Sequence, residues 1–304
     1  MKNPEISIIM SAYNADKYIA DSINSILKQT YTNFEFLIID DASKDQTLKI
    51  IKKFQKIDKR IKLIKNKKNI GLTKSLNKLS KKAKGRFLAR MDADDICYTN
   101  KLKKQISWFK KNPKAILLGT SGFKINENSR RLSKYRLPAI SHEKIVKKLI
   151  FNNFYLHSST MFKRISFLKI GGYRSFFLYS QDYDLWIRMA KEGRIGNLSD
   201  NLVGIRSHSD SISSNNKKEQ VYYAILASCL KYKDLKIKSF IKKNFFDQLK
   251  LNKSIAPHFN CLSFLYSESL PKKYRVSFFS LSIKEKMYLL KDIKFLLIKI
   301  FKKF

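Results

Sequence analysis

The chain has 304 residues, enough for one large domain and an appended region, and its 44% apolar content excludes a mainly disordered protein. Its formal net charge is +39, and the excess lysine is spread along the whole chain rather than gathered in one tract. Nucleic acid, an anionic lipid surface and an acidic substrate all fit such a charge, so the charge identifies no partner by itself.

The first 120 residues alternate between short apolar runs and amphipathic helical patterns. The apolar runs predict strands over residues 6–10, 34–39, 61–64, 87–91 and 116–120. The intervening patterns predict helices over residues 15–29, 73–83 and 100–111, and one that follows Ser43 and ends near Lys56. Asn14 is the expected N-cap of the first helix, and Ser43 with Gln46 forms a capping-box pattern before the second.

The pattern is weaker in the rest of the chain. It loosens between residues 122 and 141, then predicts a helix over 142–151, a strand over 159–162 and a helix over 182–191. Gly171-Gly172 reads as a break before the last of these helices. From about residue 215 the chain is rich in lysine, free of glycine and helical in pattern, which predicts an appended helical region.

Cysteine use and apolar run lengths bear on where the protein acts. Cys97, Cys229 and Cys261 lack metal-like spacing, and their odd number argues against a disulfide framework. The first residues lack the layout of a secretory signal, and no run reaches the roughly 18 apolar residues of a spanning helix. We therefore expect a cytoplasmic protein, or a peripheral one on the cytosolic face of a membrane.

The strand–helix alternation predicts an α/β fold, with a Rossmann-like, mostly parallel sheet flanked by helices. Ligands of such sheets gather at the carboxyl ends of the strands. Polar and acidic residues stand where three strands end, at Tyr13-Asn14, Asp40-Asp41 and Asp92-Ala93-Asp94-Asp95. This coincidence is the first indication of a functional site.

The strongest single clue is Asp92-Ala93-Asp94, directly after an apolar strand. Two carboxylates at a strand end provide the hard oxygen ligands that a divalent cation bound to diphosphate requires. Such a cation neutralises the charge that grows on a departing diphosphate. A solvated acidic loop or a helix cap is the alternative reading of the same three residues.

Several segments in a fixed order resemble family-2 glycosyltransferases of the GT-A fold, and they cover about residues 6 to 208. They are ISIIMSAYN (6–14), FLIIDDASKD (36–45), NIGL (69–72) with Asn77, RMDADD (90–95), GGYR (171–174) and QDYDLW (181–186). The resemblance implies a metal-dependent, inverting transfer of a sugar from a nucleotide-diphosphate donor. It also implies a nucleotide-sugar half (about 1–122) and an acceptor half (about 123–214), before the basic helical region (215–304).

On the donor side, the resemblance implies that Tyr13 stacks on the nucleobase, beside Ser11 in the nucleoside pocket. It implies that Asp41 accepts a hydrogen bond from the base and that Gly71 marks a turn with positive φ, or a close backbone approach to the donor. Arg90, before the acidic triplet, is expected either to steer the diphosphate or to pair with a carboxylate.

For the metal, the resemblance implies Asp94 as the principal ligand of Mn²⁺ or Mg²⁺, with Asp92 near the ribose and metal. Arg206-Ser207-His208 resembles an Arg-x-His element in which the histidine completes the metal or diphosphate site. His208 is thus a candidate ligand, and a purely structural histidine is the alternative.

On the acceptor side, the resemblance implies Asp182 as the general base that removes the acceptor proton. This chain has Gln181 before it, where the family often has glutamate. His157 matches a position lining the acceptor side. Trp186, in the same helix, is expected to line the acceptor pocket or to belong to the core. Asp95 is expected to cap the following helix or to bind the sugar.

The expected partners are a UDP- or dTDP-sugar donor, with guanosine left open, and a glycan or lipid-linked acceptor in surface polysaccharide or lipopolysaccharide synthesis. The tail, residues 291–304, is basic and amphipathic, which favours either an anionic membrane surface or packing on the domain. Two other classes remain as alternatives: an inactive family member acting as a scaffold, and a nucleic-acid-binding protein. The dispersed lysines and the carboxylate cluster argue against nucleic acid.

Overall fold

A computed structural model describes residues 3–149 and 153–208, together with Gln220, Tyr223, Ala224 and Ala227. Within this part of the chain, nine strands form one mixed sheet with helices on both faces. The strands are β1 (Ile6–Ala12), β2 (Phe34–Asp40), β3 (Ile61–Lys65), β4 (Phe87–Arg90), β5 (Ile96–Cys97), β6 (Ala115–Ile125), β7 (Arg131–Tyr135), β8 (Met161–Lys163) and β9 (Arg194–Arg206). The helices are α1 (Ile19–Leu27), α2 (Thr47–Ile57), α3 (Leu72–Lys82), α4 (Lys101–Lys111), α5 (His142–Lys148), α6 (Arg164–Lys169) and α7 (Gln181–Glu192).

The strand order is β3-β2-β1-β4-β8-β6-β9-β5, and β7 pairs with β6 off this path. The first four strands in this order run parallel, and their register aligns Ala12 with Asp40 and Asp40 with Lys65. The polar residues that follow β1, β2 and β4 therefore meet at one edge of the sheet, which confirms the predicted α/β class. The second half of the sheet is mostly antiparallel, with β6 and β9 as its parallel pair.

Both faces of the sheet are buried, which is why the strands are almost continuously apolar. Along β2, Leu37 and Ile39 face one hydrophobic core, whereas Phe36 and Ile38 face the other. Each fully buried aliphatic or aromatic side chain contributes roughly 1.5–3 kcal/mol through burial. These two cores hold the strand ends, and hence the site residues, in fixed positions.

Both predicted helix caps in the first half are wrong. α1 begins at Ile19 rather than at residue 15, and Asn14 has a left-handed φ of 46° instead of capping it. The N–H of Asn14 donates to Ser43 Oγ (3.1 Å), and its Oδ1 accepts from the N–H of Lys44 (2.9 Å). Asp45 accepts from the first N–H of α2, at Thr47 (3.0 Å). These polar residues tie two loops at the carboxyl edge to each other.

The structure also contains strands that the sequence did not predict. β6 continues to Ile125 and pairs with β7 in the region where the pattern loosened. β9 is 13 residues long, and its pairing with β6 contains a register shift. Thr120 of β6 pairs with Leu198 and the next residue, Ser121, pairs with Asn201, so Ser199 and Asp200 have no partner in β6. Such an irregularity breaks the period-two alternation on which a strand prediction rests.

The predicted break at Gly171-Gly172 is confirmed, because both residues have positive φ (80° and 67°). Asn77 of α3 holds this turn: its Nδ2 donates to the carbonyl of Tyr173 (2.7 Å) and its Oδ1 accepts from the N–H of Tyr173 (3.0 Å). Arg188 of α7 donates to the carbonyl of Gly172 (2.7 Å). The turn is thus fixed from two helices.

Gly172→Ala is expected to lower the free energy of unfolding by about 2–4 kcal/mol, from left-handed strain plus overpacking. A Cβ there would lie 2.7 Å from the Oδ1 of Asn77. Gly171→Ala is the matched control, since its added Cβ meets nothing within 4 Å and only the strain of about 1–2 kcal/mol applies. Urea denaturation of both variants measures the difference, and equal losses would show that the Asn77 contact is unimportant.

Several predictions fall partly or wholly outside the described residues. The helical region at 215–304, its tail at 291–304, and Cys229 and Cys261 stay predictions. The division between donor and acceptor halves at residue 122 falls within β6 and also stays a prediction. Among the described residues no helix is both long and apolar enough to cross a membrane.

Candidate active site

The acidic loop, residues 92–95, lies between β4 and β5 at the carboxyl edge of the sheet. The side chains of Asp92 and Asp94 are 29% and 31% exposed, so both reach the surface of the cleft. Asp95 is 4% exposed and points into the protein. The three carboxylates of this loop therefore have different roles.

Asp92 is held from below by Arg90 and Ser158. Arg90 is completely buried and forms an ion pair with Asp92. Of the two roles expected for Arg90, pairing with a carboxylate is therefore the one present. The alternative, direct contact with the diphosphate, is corrected. The Ser158 hydroxyl lies 2.8 Å from Asp92 Oδ2. Burial acts to raise the pKa of Asp92, but the charge of Arg90 and the Ser158 hydrogen bond outweigh it and lower that pKa. Asp92 is thus a fixed carboxylate anion.

Asp95 corrects the prediction that it caps a helix or binds the sugar. Its Oδ1 accepts from the N–H of Arg206 (2.9 Å), and its Oδ2 lies 2.5 Å from the Ser158 hydroxyl. Burial and the nearby charges of Asp94 and Asp92 raise its pKa well above the ordinary value. The Ser158 hydroxyl therefore lies between the carboxyl groups of Asp92 and Asp95. Asp95 joins the acidic loop to the end of β9.

Asp94 is brought together with His208, which is 114 residues away in sequence, with Oδ2 and Nε2 3.0 Å apart. The ring of Tyr18 supports this arrangement: its centroid is 4.8 Å from the His208 ring and 4.6 Å from the Arg206 guanidinium carbon. The Arg206 Nε donates to the carbonyl of Asp94 (2.6 Å). The Arg-x-His element, at the end of β9, therefore contacts the acidic loop.

These residues fit a divalent cation. Asp94 Oδ2 and His208 Nε2 face each other as one carboxylate and one imidazole ligand, leaving further positions for phosphate oxygens and water. Asp92 is a poorer ligand, because Arg90 and Ser158 already engage its two oxygens. No cluster of three or more metal-binding side chains occurs among the described residues. The protein alone thus supplies an incomplete ligand set, which a diphosphate would complete.

The donor side opens beside β1 and β2. Tyr13 is 45% exposed after β1, so its ring is accessible to a flat base, and Ser11 lies partly buried next to it. Gly71 has the expected positive φ of 85°. The base-binding role of Tyr13 stays a prediction.

Asp41 is held by the protein's own donors. It is 2% exposed, and its oxygens accept from the N–H groups of Ile70 (3.0 Å) and Gly71 (2.9 Å) and from Asn66 Nδ2 (2.7 Å). These three donors leave one of the roughly four acceptor sites of the carboxylate, so the hydrogen bond from a nucleobase stays a prediction. Asp41 thus fixes the loop that leads into α3, and shapes the donor side indirectly.

Asp182 lies in the first turn of α7. It is partly exposed, and its Oδ2 accepts from Asn153 Nδ2 (2.7 Å). Burial raises the pKa of Asp182, and the charge of Asp92 raises it further, although the Asn153 hydrogen bond opposes both. The charges of Asp92 and Asp182 therefore act on each other.

His157 and Tyr173 lie between these carboxylates. The Nε2 of His157 is 2.9 Å from the Tyr173 hydroxyl, and its Nδ1 is 3.9 Å from Asp92 Oδ2. Burial lowers the pKa of His157 to about 3, with the charge of Arg90 acting in the same direction. His157 is therefore a neutral imidazole that packs the floor of the cleft.

We expect His157 to make the metal-free protein less stable toward acid. Its folded-state pKa of about 3 lies below the ordinary 6.5, so below pH 6.5 the unfolded chain takes up a proton that the folded one does not. Stability then falls toward acid by up to about 1.4 kcal/mol per pH unit. Urea denaturation between pH 6.5 and 5 measures this slope, and His157→Gln should reduce it. An unchanged slope would mean that His157 is protonated in the folded state.

Two further acceptor-side predictions are corrected. Trp186 is completely buried, with ring contacts to Tyr155, His157 and Phe162, so of its two expected roles the core role is present. Gln181 is 7% exposed at the start of α7. The helix turns these side chains inward and leaves Asp182 at the cleft.

Sequence reasoning missed several residues that shape the cleft. Ser158 bridges two carboxylates, and Asn153 orients Asp182. The buried Lys101 donates to the carbonyls of Arg90 (3.3 Å) and Ser158, beneath the acidic loop. In a chain with 63 Lys and Arg residues, nothing in the sequence marks one lysine as buried. Serine and asparagine carry no local pattern either.

A separate cavity of about 630 Å³ lies at the opposite edge of the sheet, where β6 and β9 begin. Its lining includes Trp108, Lys114, His142 and Asn197. None of the predicted site residues lines it. The candidate active site is therefore the open cleft around residues 92–95, 182 and 208.

The comparisons with known proteins agree with this geometry. Residues 7–171 match the family described as "Glycosyl transferase family 2". The O-antigen biosynthesis glycosyltransferase WbnJ of Escherichia coli is 36% identical over 243 residues, covering 78% of this chain and 89% of WbnJ. The UDP-Glc:alpha-D-GlcNAc-diphosphoundecaprenol beta-1,3-glucosyltransferase WfgD of E. coli is 35% identical over 216 residues, covering 70% and 81%.

Solved structures share the fold. S. aureus TarS 1-349 in complex with UDP-GlcNAc matches with a TM-score of 0.62 and 19% identity, over 90% of this chain and 83% of that one. The mannosyltransferase PcManGT from Pyrobaculum calidifontis, in complex with GDP-Man and Mn²⁺, matches with a TM-score of 0.60 and 15% identity, over 100% and 83%. By sequence and by fold, this chain belongs to glycosyltransferase family 2 and has the GT-A fold.

Proposed function

We propose that the protein is a metal-dependent, inverting glycosyltransferase that moves a sugar from a UDP- or dTDP-sugar to an acceptor hydroxyl in surface glycan synthesis. The observation that carries this proposal is the Asp94–His208 pair, in which a carboxylate faces an imidazole 3.0 Å away at the acidic loop. Asp182, in the first turn of α7, supports it, because the charge of Asp92 helps to raise the pKa of Asp182. The pair suits a diphosphate with its cation, and Asp182 suits an acceptor hydroxyl.

On the donor side, Tyr13 stacks on the base, while Asp94 and His208 hold Mn²⁺ or Mg²⁺ together with the diphosphate. The cation, when bound, offsets the negative charge that develops on the leaving diphosphate. Asp92 and buried Arg90 keep the acidic loop in place from below. Arg206 fixes the same loop from the side through the carbonyl of Asp94.

On the acceptor side, Asp182 takes the proton of the attacking hydroxyl. A single displacement requires no enzyme nucleophile, only a base on the face opposite the leaving group. The raised pKa makes this carboxylate, in its ionised form, a stronger base than an ordinary aspartate. Asn153 holds one oxygen and thereby orients the other toward the cleft.

The relatives indicate the class of donor and acceptor. By its name, WfgD transfers glucose from UDP-Glc to a diphosphoundecaprenol-linked GlcNAc, and WbnJ takes part in O-antigen biosynthesis. These names support a UDP-sugar donor and a lipid-linked glycan acceptor for the present chain. A lipid-linked acceptor in turn favours a position on the cytosolic face of a membrane.

Turnover of nucleotide-sugars tests the proposal. The full chain is incubated with Mn²⁺ or Mg²⁺, a panel of UDP-, dTDP- and GDP-sugars and lipid-linked acceptor, and released nucleoside diphosphate is measured. We expect metal-dependent release with at least one UDP- or dTDP-sugar, and the anomeric configuration of the product by NMR to be inverted. Absence of both turnover and metal-dependent donor binding in the folded protein would favour an inactive scaffold.

A further inference from the structure

The outer edge of the β6–β7 hairpin is an exposed basic surface, which we call the hairpin surface and define as residues 130–136. Every residue of this segment is exposed. It contains Arg130, Arg131, Lys134 and Arg136, and the sequence has no acidic residue between Glu127 and Glu143. Positive charge is therefore concentrated here without local compensation.

A bulge in β7 exposes an apolar side chain among these cations. Lys124 of β6 pairs with Ser133, but the next residue of β6, Ile125, pairs with Arg131, so Leu132 has no partner in the register. Bulges of this kind re-aim side chains. Leu132 is 58% exposed as a result, and Tyr135 on the same strand is 36% exposed.

The cations of this surface are available to a partner. Arg131 lies over the rings of Phe123 (4.3 Å) and Tyr98 (4.9 Å), which anchors the strand. The side chains of Arg130, Lys134 and Arg136 form no ion pair with any described residue. Charge on an edge strand is an ordinary protection against strand pairing, but that purpose does not require an exposed leucine.

The turn before the hairpin surface is hydrogen-bonded to the end of β9, next to the acidic loop. Arg206 donates to the carbonyls of Asn126 (3.1 Å) and Glu127 (2.5 Å), and to Ser129 Oγ (3.0 Å), all in the turn that joins β6 to β7. The same guanidinium donates to the carbonyl of Asp94. The turn before the hairpin surface is therefore connected to the acidic loop through one side chain.

We propose that the hairpin surface docks the catalytic domain on an anionic phospholipid bilayer. Uncompensated cations around outward-pointing Leu132 and Tyr135 suit a headgroup layer, where cations meet lipid phosphates and apolar side chains enter the interface. The proposed function gives this docking a purpose, since a lipid-linked acceptor presents its hydroxyl near the bilayer. The binding itself requires neither donor nor metal.

Vesicle sedimentation with the full chain tests this proposal, using phosphatidylcholine vesicles with and without 30 mol% phosphatidylglycerol, in the absence of donor and metal. The test variant is Arg130→Gln/Lys134→Gln/Arg136→Gln. The matched control is Lys52→Gln/Lys53→Gln/Lys56→Gln on α2, where three exposed lysines adjoin Ile57, which is 69% exposed. Both variants lose the same charge and keep the same C-terminal region.

We expect the hairpin variant to lose about a hundredfold in partitioning onto anionic vesicles, which is about fivefold for each of the three cations near the surface, and the α2 variant to lose much less. Leu132→Ser should weaken binding further without changing its salt dependence. Equal losses in the two triple variants, or no preference for anionic vesicles, would overturn the proposal. Unchanged vesicle binding with lost affinity for a soluble acceptor glycan would overturn it in favour of an acceptor site. Release of nucleoside diphosphate from the donor in the presence of a soluble acceptor, measured separately, reports on the proposed function alone.

Discussion

Asp94→Ala is expected to reduce metal-dependent turnover by about a thousandfold or more, because it removes the carboxylate that faces His208 and several kcal/mol of leaving-group stabilisation with it. The folded structure should survive, since the Asp94 side chain is 31% exposed and its backbone carbonyl still accepts from Arg206. Nucleoside diphosphate release, titrated with Mn²⁺ and with Mg²⁺, measures the effect. We expect weaker apparent metal affinity together with the lower rate.

The matched control for this variant is Asp200→Ala. Asp200 is also partly exposed, with its side chain 37% accessible, and it pairs with Lys104 away from the cleft. Its removal should leave both rate and metal dependence within about twofold, because exposed ion pairs contribute little. If Asp94→Ala behaved like Asp200→Ala, the cation would have to be held elsewhere, and the proposed metal site would be wrong.

Asp182→Asn is expected to reduce kcat by about a hundredfold to ten-thousandfold, the range associated with loss of a general base, while donor binding remains. Asparagine keeps the size of the side chain but cannot take up the acceptor proton. Glu192→Gln, at the far end of α7, is the control, because Glu192 only pairs with exposed Lys169. Steady-state kinetics with separate donor-affinity measurements distinguishes loss of the base from loss of binding.

The pH dependence of kcat is a second test of the general-base role of Asp182. Activity requires the ionised carboxylate, and the pKa of Asp182 is raised, so activity should fall toward acid at a higher pH than an ordinary aspartate would give. Asn153→Ala removes a hydrogen bond that opposes the raised pKa, and should move this acid limb to still higher pH. If the acid limb of the kcat profile did not move in Asn153→Ala, a group other than Asp182 would be responsible for it.

The sequence predicted the α/β class and the edge of the sheet where the site lies, because buried parallel strands are continuously apolar and polar residues follow them directly. It also singled out Asp94 and His208, which the structure brings within 3.0 Å of each other, and Asp182, which is partly exposed at the start of α7. What it could not predict is burial at the level of single side chains. Asp41 and Asp95 have the residue type of a ligand-binding carboxylate, yet the fold turns both inward onto backbone N–H groups.

The remaining errors have the same origin in long-range contacts. Trp186 and Asp182 lie on one helix, and only the packing of α7 on the sheet decides which of them meets the core. β9 went unpredicted because a register shift interrupts its alternation. Ser158 acquires its role from two carboxylates 63 and 66 residues away, a contact that no local pattern records.

The position of Arg206 sets a rule for redesigning this protein. One guanidinium group spans the acidic loop and the 126–129 turn, so the two segments cannot be exchanged independently between relatives. A chimera that imports a foreign β7 while keeping the native turn should remain folded around its acidic loop. One that changes the length of the turn would displace Asp94 even though every residue of the acidic loop was left untouched.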